Sequence, residues 1–108
     1  MNRAVSGDGV LSMIGLARRA LKAEPGAFLA QKSLQSGKSN LIIVAADAAD
    51  NIKKKFTDSC KYYRVLCIEY SNKAMLGKYT GKENIAVVSI NDINFAKGIL
   101  GRFEINGV

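Results

Sequence analysis

Between Pro25 and Gly37 the chain reads PGAFLAQKSLQSG, and this stretch holds its only proline. Pro-Gly is a turn signal, and the ten residues that follow have the length of a short helix closed by a glycine. Ala30, Leu34 and Ser33 would form the inner stripe. Phe28 and Lys32, four residues apart, then share an outer face. An aromatic ring beside a cation on a solvent-facing first turn can stack on a base and pair with a phosphate. Two other arrangements remain open at this point. Phe28 could fold onto Leu29 as an N-terminal staple, or the two could form an apolar patch for a protein partner.

A second basic group lies just upstream. Arg18, Arg19 and Lys22 crowd the C-terminal end of a helix predicted over about Gly9–Leu21, where Asp8 can cap and Val10, Ile14, Ala17 and Leu21 recur at helical spacing. Cations there complement the negative helix end, but three in five residues exceed what capping requires. The triple lysine Lys53-Lys54-Lys55 is expected to fan over a solvated helix face balanced by Asp50 and Asp58.

The charge is uneven. Residues Met1–Lys82 carry 14 basic and 6 acidic side chains, whereas Glu83–Val108 carry 2 and 3. A net charge of +7 concentrated in this way favours a polyanionic partner, nucleic acid above all, over the alternative that the charge supplies solubility alone.

Two segments mimic phosphate-binding loops and fail. In SGKSN the first glycine of the motif would fall at Lys32, and the segment precedes a strand instead of following one. GKYTGKE (Gly77–Glu83) is one residue short and ends in Glu83 where the magnesium hydroxyl belongs. With no histidine in the chain, the commonest general base and metal ligand are both missing. Asp47 and Asp50 are explained by capping and by an Asp50–Lys54 pair. Cys60 and Cys67 have neither redox nor zinc spacing, so two free, buried thiols on different elements are expected. No enzyme, cofactor or metal is indicated.

The elements that position these groups follow from the apolar pattern. NLIIVAA (Asn40–Ala46) is a continuous apolar run of a buried strand. A helix over about Ala48–Tyr63, capped by Asp47, places Ile52, Phe56, Cys60 and Tyr63 inward. VLCIEY (Val65–Tyr70) is a strand, and Ser71 caps a short helix to about Tyr79, ended by Thr80-Gly81. IAVVSI (Ile85–Ile90) is a strand, and Asn91 or Asp92 caps a last helix stopped by Gly101. This alternation implies an α/β fold with helices on both faces of a small sheet whose strands run parallel or largely so. At 108 residues the chain is a single domain with its core at about 9–101. Met1–Asp8 lacks an apolar export signal and no run reaches membrane-span length, so a cytoplasmic protein away from membranes is expected.

LARRALK (Leu16–Lys22), GAFLAQKSLQSGKSNLIIVAADAADN (Gly26–Asn51) and LGKYTG (Leu76–Gly81), in this order, resemble the kink-turn RNA-binding ribosomal-protein family, the L-seven-Ae and L-thirty-e group. The short bacterial YlxQ-like members are the most similar. The resemblance runs from about Val10 to Leu100. It implies a three-layer α/β/α sandwich on a small, mostly parallel but mixed four-stranded sheet, whose first short strand lies near Lys22–Glu24.

It also implies an RNA-binding, ribonucleoprotein-type function without catalysis. In the family, a glycine, an Asn-Glu pair and a lysine three residues later read a sharply bent RNA, and a second loop closes over the bend. Gly26 matches the glycine and Lys32 the lysine, with Ala27 between the turn and the reader. Phe28 and Leu29 replace the Asn-Glu pair, and neither can make its hydrogen bonds to tandem G·A pairs. In the second loop Leu76, Gly77 and Gly81 match, Tyr79 replaces a small residue, and the tip becomes Lys82-Glu83-Asn84. The expected RNA-binding residues are therefore Arg18, Arg19, Lys22, Gly26, Ala27, Phe28, Leu29, Lys32, Lys78, Gly81 and Lys82. The expected partner is structured RNA, kink-turn or ribosomal, with the protein acting as a monomer. The alternative is a ribosome-associated or regulatory module using the Phe28–Leu29 surface on a protein.

Overall fold

The computed structural model describes residues 8–106. The expectation that Met1–Asp8 is not an export signal falls, apart from Asp8, outside them. Among the described residues the chain forms five helices and four strands. In order they are α1 (Gly9–Arg19), β1 (Ala23–Pro25), α2 (Ala27–Gln35), β2 (Leu41–Val44), α3 (Asp50–Tyr63), β3 (Cys67–Glu69), α4 (Lys73–Thr80), β4 (Val87–Ile90) and α5 (Ile93–Asn106).

The sheet order is β1-β4-β2-β3. Helix α1 packs with α4 and α5, and α2 packs with α3, which gives the three-layer α/β/α sandwich. Leu41, Ile42, Ile43 and Val44 are all buried, since β2 has neighbours in the sheet and helices over both faces. Ile14, Leu34, Phe56, Leu76, Ile90 and Ile99 complete the fully buried core. Each such side chain contributes about 1.5–3 kcal/mol on leaving water. Pro25, which has no N–H for a ladder, sits on the edge strand β1, where it is tolerated.

The mixed sheet is as expected, but its parallel share is smaller. Only the β2–β3 pairing is parallel; β4 lies between β1 and β2 and is antiparallel to both. A run buried on both faces reads the same in either direction, so the pattern of IAVVSI carries no polarity. After α4 the 81–86 loop delivers the chain to the end of β2, where the Ala45 N–H donates to the Ala86 carbonyl (2.8 Å). From there β4 can only run back along β2.

Several local expectations are corrected. Helix α1 stops at Arg19, and Leu21 is 82 % exposed instead of belonging to the inner stripe. Leu21 takes the left-handed conformation (φ 61°), and the Lys22 N–H reaches back to the Ala17 carbonyl, a Schellman-type ending without glycine. Asp47 does not cap α3, whose N-cap is Ala49; its carboxylate instead accepts from the Lys73 N–H at the start of α4 (2.8 Å). Asn72, not Ser71, caps α4 by accepting from the Met75 N–H (2.9 Å). Asp92 fills the corresponding role for α5, accepting from the Phe95 N–H (3.0 Å). Gly101 keeps a helical backbone with open space around it, so α5 continues to Asn106. Among the described residues no helix is long and apolar enough to cross a membrane.

Candidate nucleic-acid interface

The edge strand β1 leads directly into the start of α2. Gly26 is its N-cap with φ 107°, ψ 148°, a conformation only glycine adopts freely. No side chain caps the helix, so the N–H groups of its first turn lack a side-chain acceptor. The Gly26 N–H donates to the Val87 carbonyl (2.7 Å), which fixes the start of α2 beside the point where the 81–86 loop enters β4. The two loops that the sequence singles out therefore meet at one end of the sheet.

The inner face of α2 is held by a buried polar chain. The Ser89 and Ser39 hydroxyls share a hydrogen bond (2.8 Å), Ser89 also bonds Asn91 Oδ1 (2.6 Å), and Asn91 Nδ2 donates to Ser33 Oγ (3.0 Å). Ser89 is wholly buried, so leaving its hydroxyl unmatched would cost about 1–3 kcal/mol. Ala30, Ser33 and Leu34 face inward, as the spacing requires. Ser39, the serine of the false phosphate loop, is consumed here and presents nothing to a ligand.

With that face fixed, Phe28 points out and is 77 % exposed, and Leu29 is 37 % exposed. The staple arrangement of Phe28 does not form. Leu29 and Lys32 line a cleft of about 220 Å³ with Glu24, Ser33, Ser36, Lys38 and Asn91. Lys32 also lines a second cleft with Phe28, on the α3 side.

The second loop is tightly built. Gly77 is buried, and a Cβ placed on it would stand 2.7 Å from the Asn84 nitrogen and 2.8 Å from the Lys82 carbonyl oxygen. The Lys82 N–H donates to the Gly77 carbonyl (2.8 Å), and Thr80 Oγ1 donates to the Leu76 carbonyl (2.7 Å). Gly81 ends α4 in the left-handed conformation, with φ 77°. Lys78 and Lys82 are exposed on this turn.

The upstream basic group stands elsewhere. Pairing of Ala23 with Ile90 and of Pro25 with Val88 puts Lys22 at the opposite end of β1 from Gly26, about 13 Å along the strand. Arg18 donates to the Ala23 carbonyl (3.2 Å) and lies 3.9 Å from Glu24, so part of its function is to hold the α1–β1 turn. Arg19 and Lys22 are exposed. Glu24 connects the two groups, since it lines the Leu29–Lys32 cleft as well.

The resemblance drawn from the sequence is tested by the match to known proteins. Residues 9–100 match the model of the ribosomal protein L7Ae/L30e/S12e/Gadd45 family. The chain belongs to this family. The RNA-binding protein YlxQ of Bacillus subtilis (strain 168) is 35 % identical over 100 residues, 93 % of this chain and 100 % of that protein. The YlxQ protein of Enterococcus faecium is 38 % identical over 87 residues, 81 % of this chain and 84 % of its own length. Among solved structures, a protein with unknown function from Bacillus halodurans C superposes with a TM-score of 0.84 at 32 % identity, covering 88 % of this chain and 96 % of the other. The 15.5kD RNA binding protein of Giardia lamblia shares the fold with a TM-score of 0.74 at 24 % identity, covering 93 % and 92 %. The ribosomal-protein family assignment thus spans all the elements described, from α1 to the body of α5.

Outside this edge, the triple lysine is less uniform than a solvated face. Lys53 lies 3.5 Å from Glu69 and Lys54 3.0 Å from Asp58, so Lys54 pairs forward along α3 and not with Asp50. Acid four residues on, toward the helix C-terminus, wins over acid four residues back. Cys60 is buried on α3 and Cys67 half-buried on β3; both are free. A hydrogen bond from the Cys60 thiol holds Cys67 below the ordinary thiol value of 9.0. The same bond, together with burial, pushes the Cys60 thiol up. Among the described residues no group of three or more His, Cys, Asp and Glu side chains could hold a metal ion.

Proposed function

We propose that this chain is a non-catalytic RNA-binding protein that grips structured RNA at the edge formed by the start of α2 and the 81–86 loop. One observation carries the reading. The first turn of α2, with its N–H groups uncapped by any side chain, presents an exposed Phe28, and one turn further on the same face stands Lys32, which has no acidic partner among the described residues. Uncapped N–H groups, helix polarity and a cation together suit phosphate oxygens, and the ring suits a base. Family membership and the names of the two YlxQ relatives support the same class of ligand. Arg19, Lys22, Lys78 and Lys82 extend the positive surface and position the backbone without reading sequence.

Kink-turn recognition is the finer part of the proposal. Phe28 and Leu29 stand where the family's polar reader belongs, so this protein prefers a kink-turn over a plain duplex only modestly. Ribosomal or other structured RNA then provides the natural target.

Salt titration tests the reading. Binding to a kink-turn RNA should weaken linearly in log salt, and Lys32→Ala combined with Arg19→Ala should flatten the slope by about one to two units. A salt-independent affinity in the unmodified protein would sink the proposal and favour a protein partner for the Phe28–Leu29 patch.

A further inference from the structure

Helices α2 and α3 leave a cleft between them of about 370 Å³, lined by Phe28, Gln31, Lys32, Gln35 and Lys55. The four α2 residues fall at i, i+3, i+4 and i+7 and form one wall; Lys55 of α3 forms the other. A volume in this range matches clefts that enclose small organic ligands, about 300–1,000 Å³. No carboxylate lines it.

Lys55 differs from its two neighbours. Lys53 and Lys54 have acidic partners, whereas Lys55 has none among the described residues. Its ammonium lies 5.7 Å from the centre of the Phe56 ring of the same helix, and its side chain lines the cleft. Gln31 accepts from the Ser59 hydroxyl through Oε1 (3.3 Å), which ties α2 to α3 and leaves its amide N–H groups for another acceptor. Gln35 is exposed.

An aromatic face, two primary amides, two cations and no acid select a ligand that is flat, hydrogen-bonding and anionic. A nucleotide has all three properties. Bases stacked within a duplex offer no free face to Phe28, so the nucleotide must be unpaired. We propose that the α2–α3 cleft holds one unpaired nucleotide of the bound RNA, its base stacked on Phe28 and its phosphates flanked by Lys32 and Lys55. The inference rests on the RNA-binding reading and adds to it a subsite, an occupant and a residue, Lys55, that the family resemblance does not assign.

Two probes separate the possibilities: an RNA hairpin with a three-uridine bulge and no tandem G·A pairs, and a fully paired hairpin of equal length. 5-Iodouridine in the bulge should crosslink to Phe28 under ultraviolet light. Phe28→Ala should weaken binding of the bulged hairpin about 10-fold and that of the paired one less than about 2-fold. Lys55→Ala should weaken the bulged complex about 3-fold and lower its salt slope by about one, while Lys54→Ala leaves both unchanged. All three altered positions are exposed, and unchanged melting and circular dichroism verify that the variants fold. If the parent binds both RNAs with a steep salt slope but Phe28→Ala and Lys55→Ala bind like the parent, the cleft is not a nucleotide site and the RNA-binding reading stands. Equal weakening of both RNAs by Phe28→Ala also overturns the cleft. If the parent binds neither RNA, both proposals fall together.

Discussion

The two loops that meet at one end of the sheet, the start of α2 and the turn that ends α4, are built on opposite principles. The start of α2 is open: glycine at the cap, no side chain on the first-turn N–H groups, and a phenylalanine ring 77 % exposed. The turn that ends α4 is closed: Thr80 is 3 % exposed, its hydroxyl donates to Leu76, and the 82–84 backbone presses on Gly77. The first leaves its N–H groups without a side-chain acceptor, and the second satisfies its own groups. A rigid turn beside an unsatisfied one lets a ligand be held in one geometry without a large ordering cost at binding. Exposure and satisfaction, more than residue type, separate the open element from the closed one.

Two sets of substitutions break or sharpen this contrast. Gly77→Ala should have the largest effect, because its Cβ would stand 2.7 and 2.8 Å from backbone atoms that cannot swing aside. A loss of about 1–3 kcal/mol in urea unfolding is expected. Phe28→Ala, by contrast, should stay within about 0.5 kcal/mol of the parent. Equal stability of the two variants would erase the distinction between a closed and an open loop.

Restoring the polar reader sharpens the open side. Phe28→Asn with Leu29→Glu should raise the preference for a kink-turn over a paired duplex by about tenfold, the equivalent of about 1.4 kcal/mol. A parent protein that already prefers the kink-turn by several decades would mean that the apolar pair reads RNA in its own right.

The smallest effect concerns a place far from both loops. The Cys60 hydrogen bond lowers Cys67 relative to 9.0, so its thiolate forms at lower pH in the folded chain than in the unfolded one. Alkylation of Cys67 in the native protein should therefore climb at lower pH than in urea, with Cys60 silent until unfolding. In urea without reductant both thiols should react; if neither does, they are joined in a disulfide. Identical pH profiles in the two states would mean that the pair does not interact.

Helix stripes were readable because a single buried face imposes a 3.6-residue period: Ala30, Ser33 and Leu34 in α2, Phe56 and Cys60 in α3. Gly26 and Lys32 were readable from their interval and the family pattern. Caps were less so, since Asp47, Ser71 and Asn72 have equivalent local chemistry; contact with α4 drew Asp47 away from α3. Lys55 was hidden among three lysines of identical type. Only the positions of Glu69 and Asp58 leave it without an acid, and only the packing of α2 on α3 sets it opposite Phe28.

By itself, then, the sequence determined the number and order of elements, most of the inner stripes, the excess of positive charge and the apolar pair Phe28-Leu29 that follows the Pro25-Gly26 turn. These depend on residues near one another along the chain. The direction of β4, the separation of Lys22 from Gly26 along β1 and the meeting of Phe28 with Lys55 were decided by tertiary structure alone. Each depends on which strands pair and which helices pack, and a buried apolar run carries no mark of its direction or its neighbour.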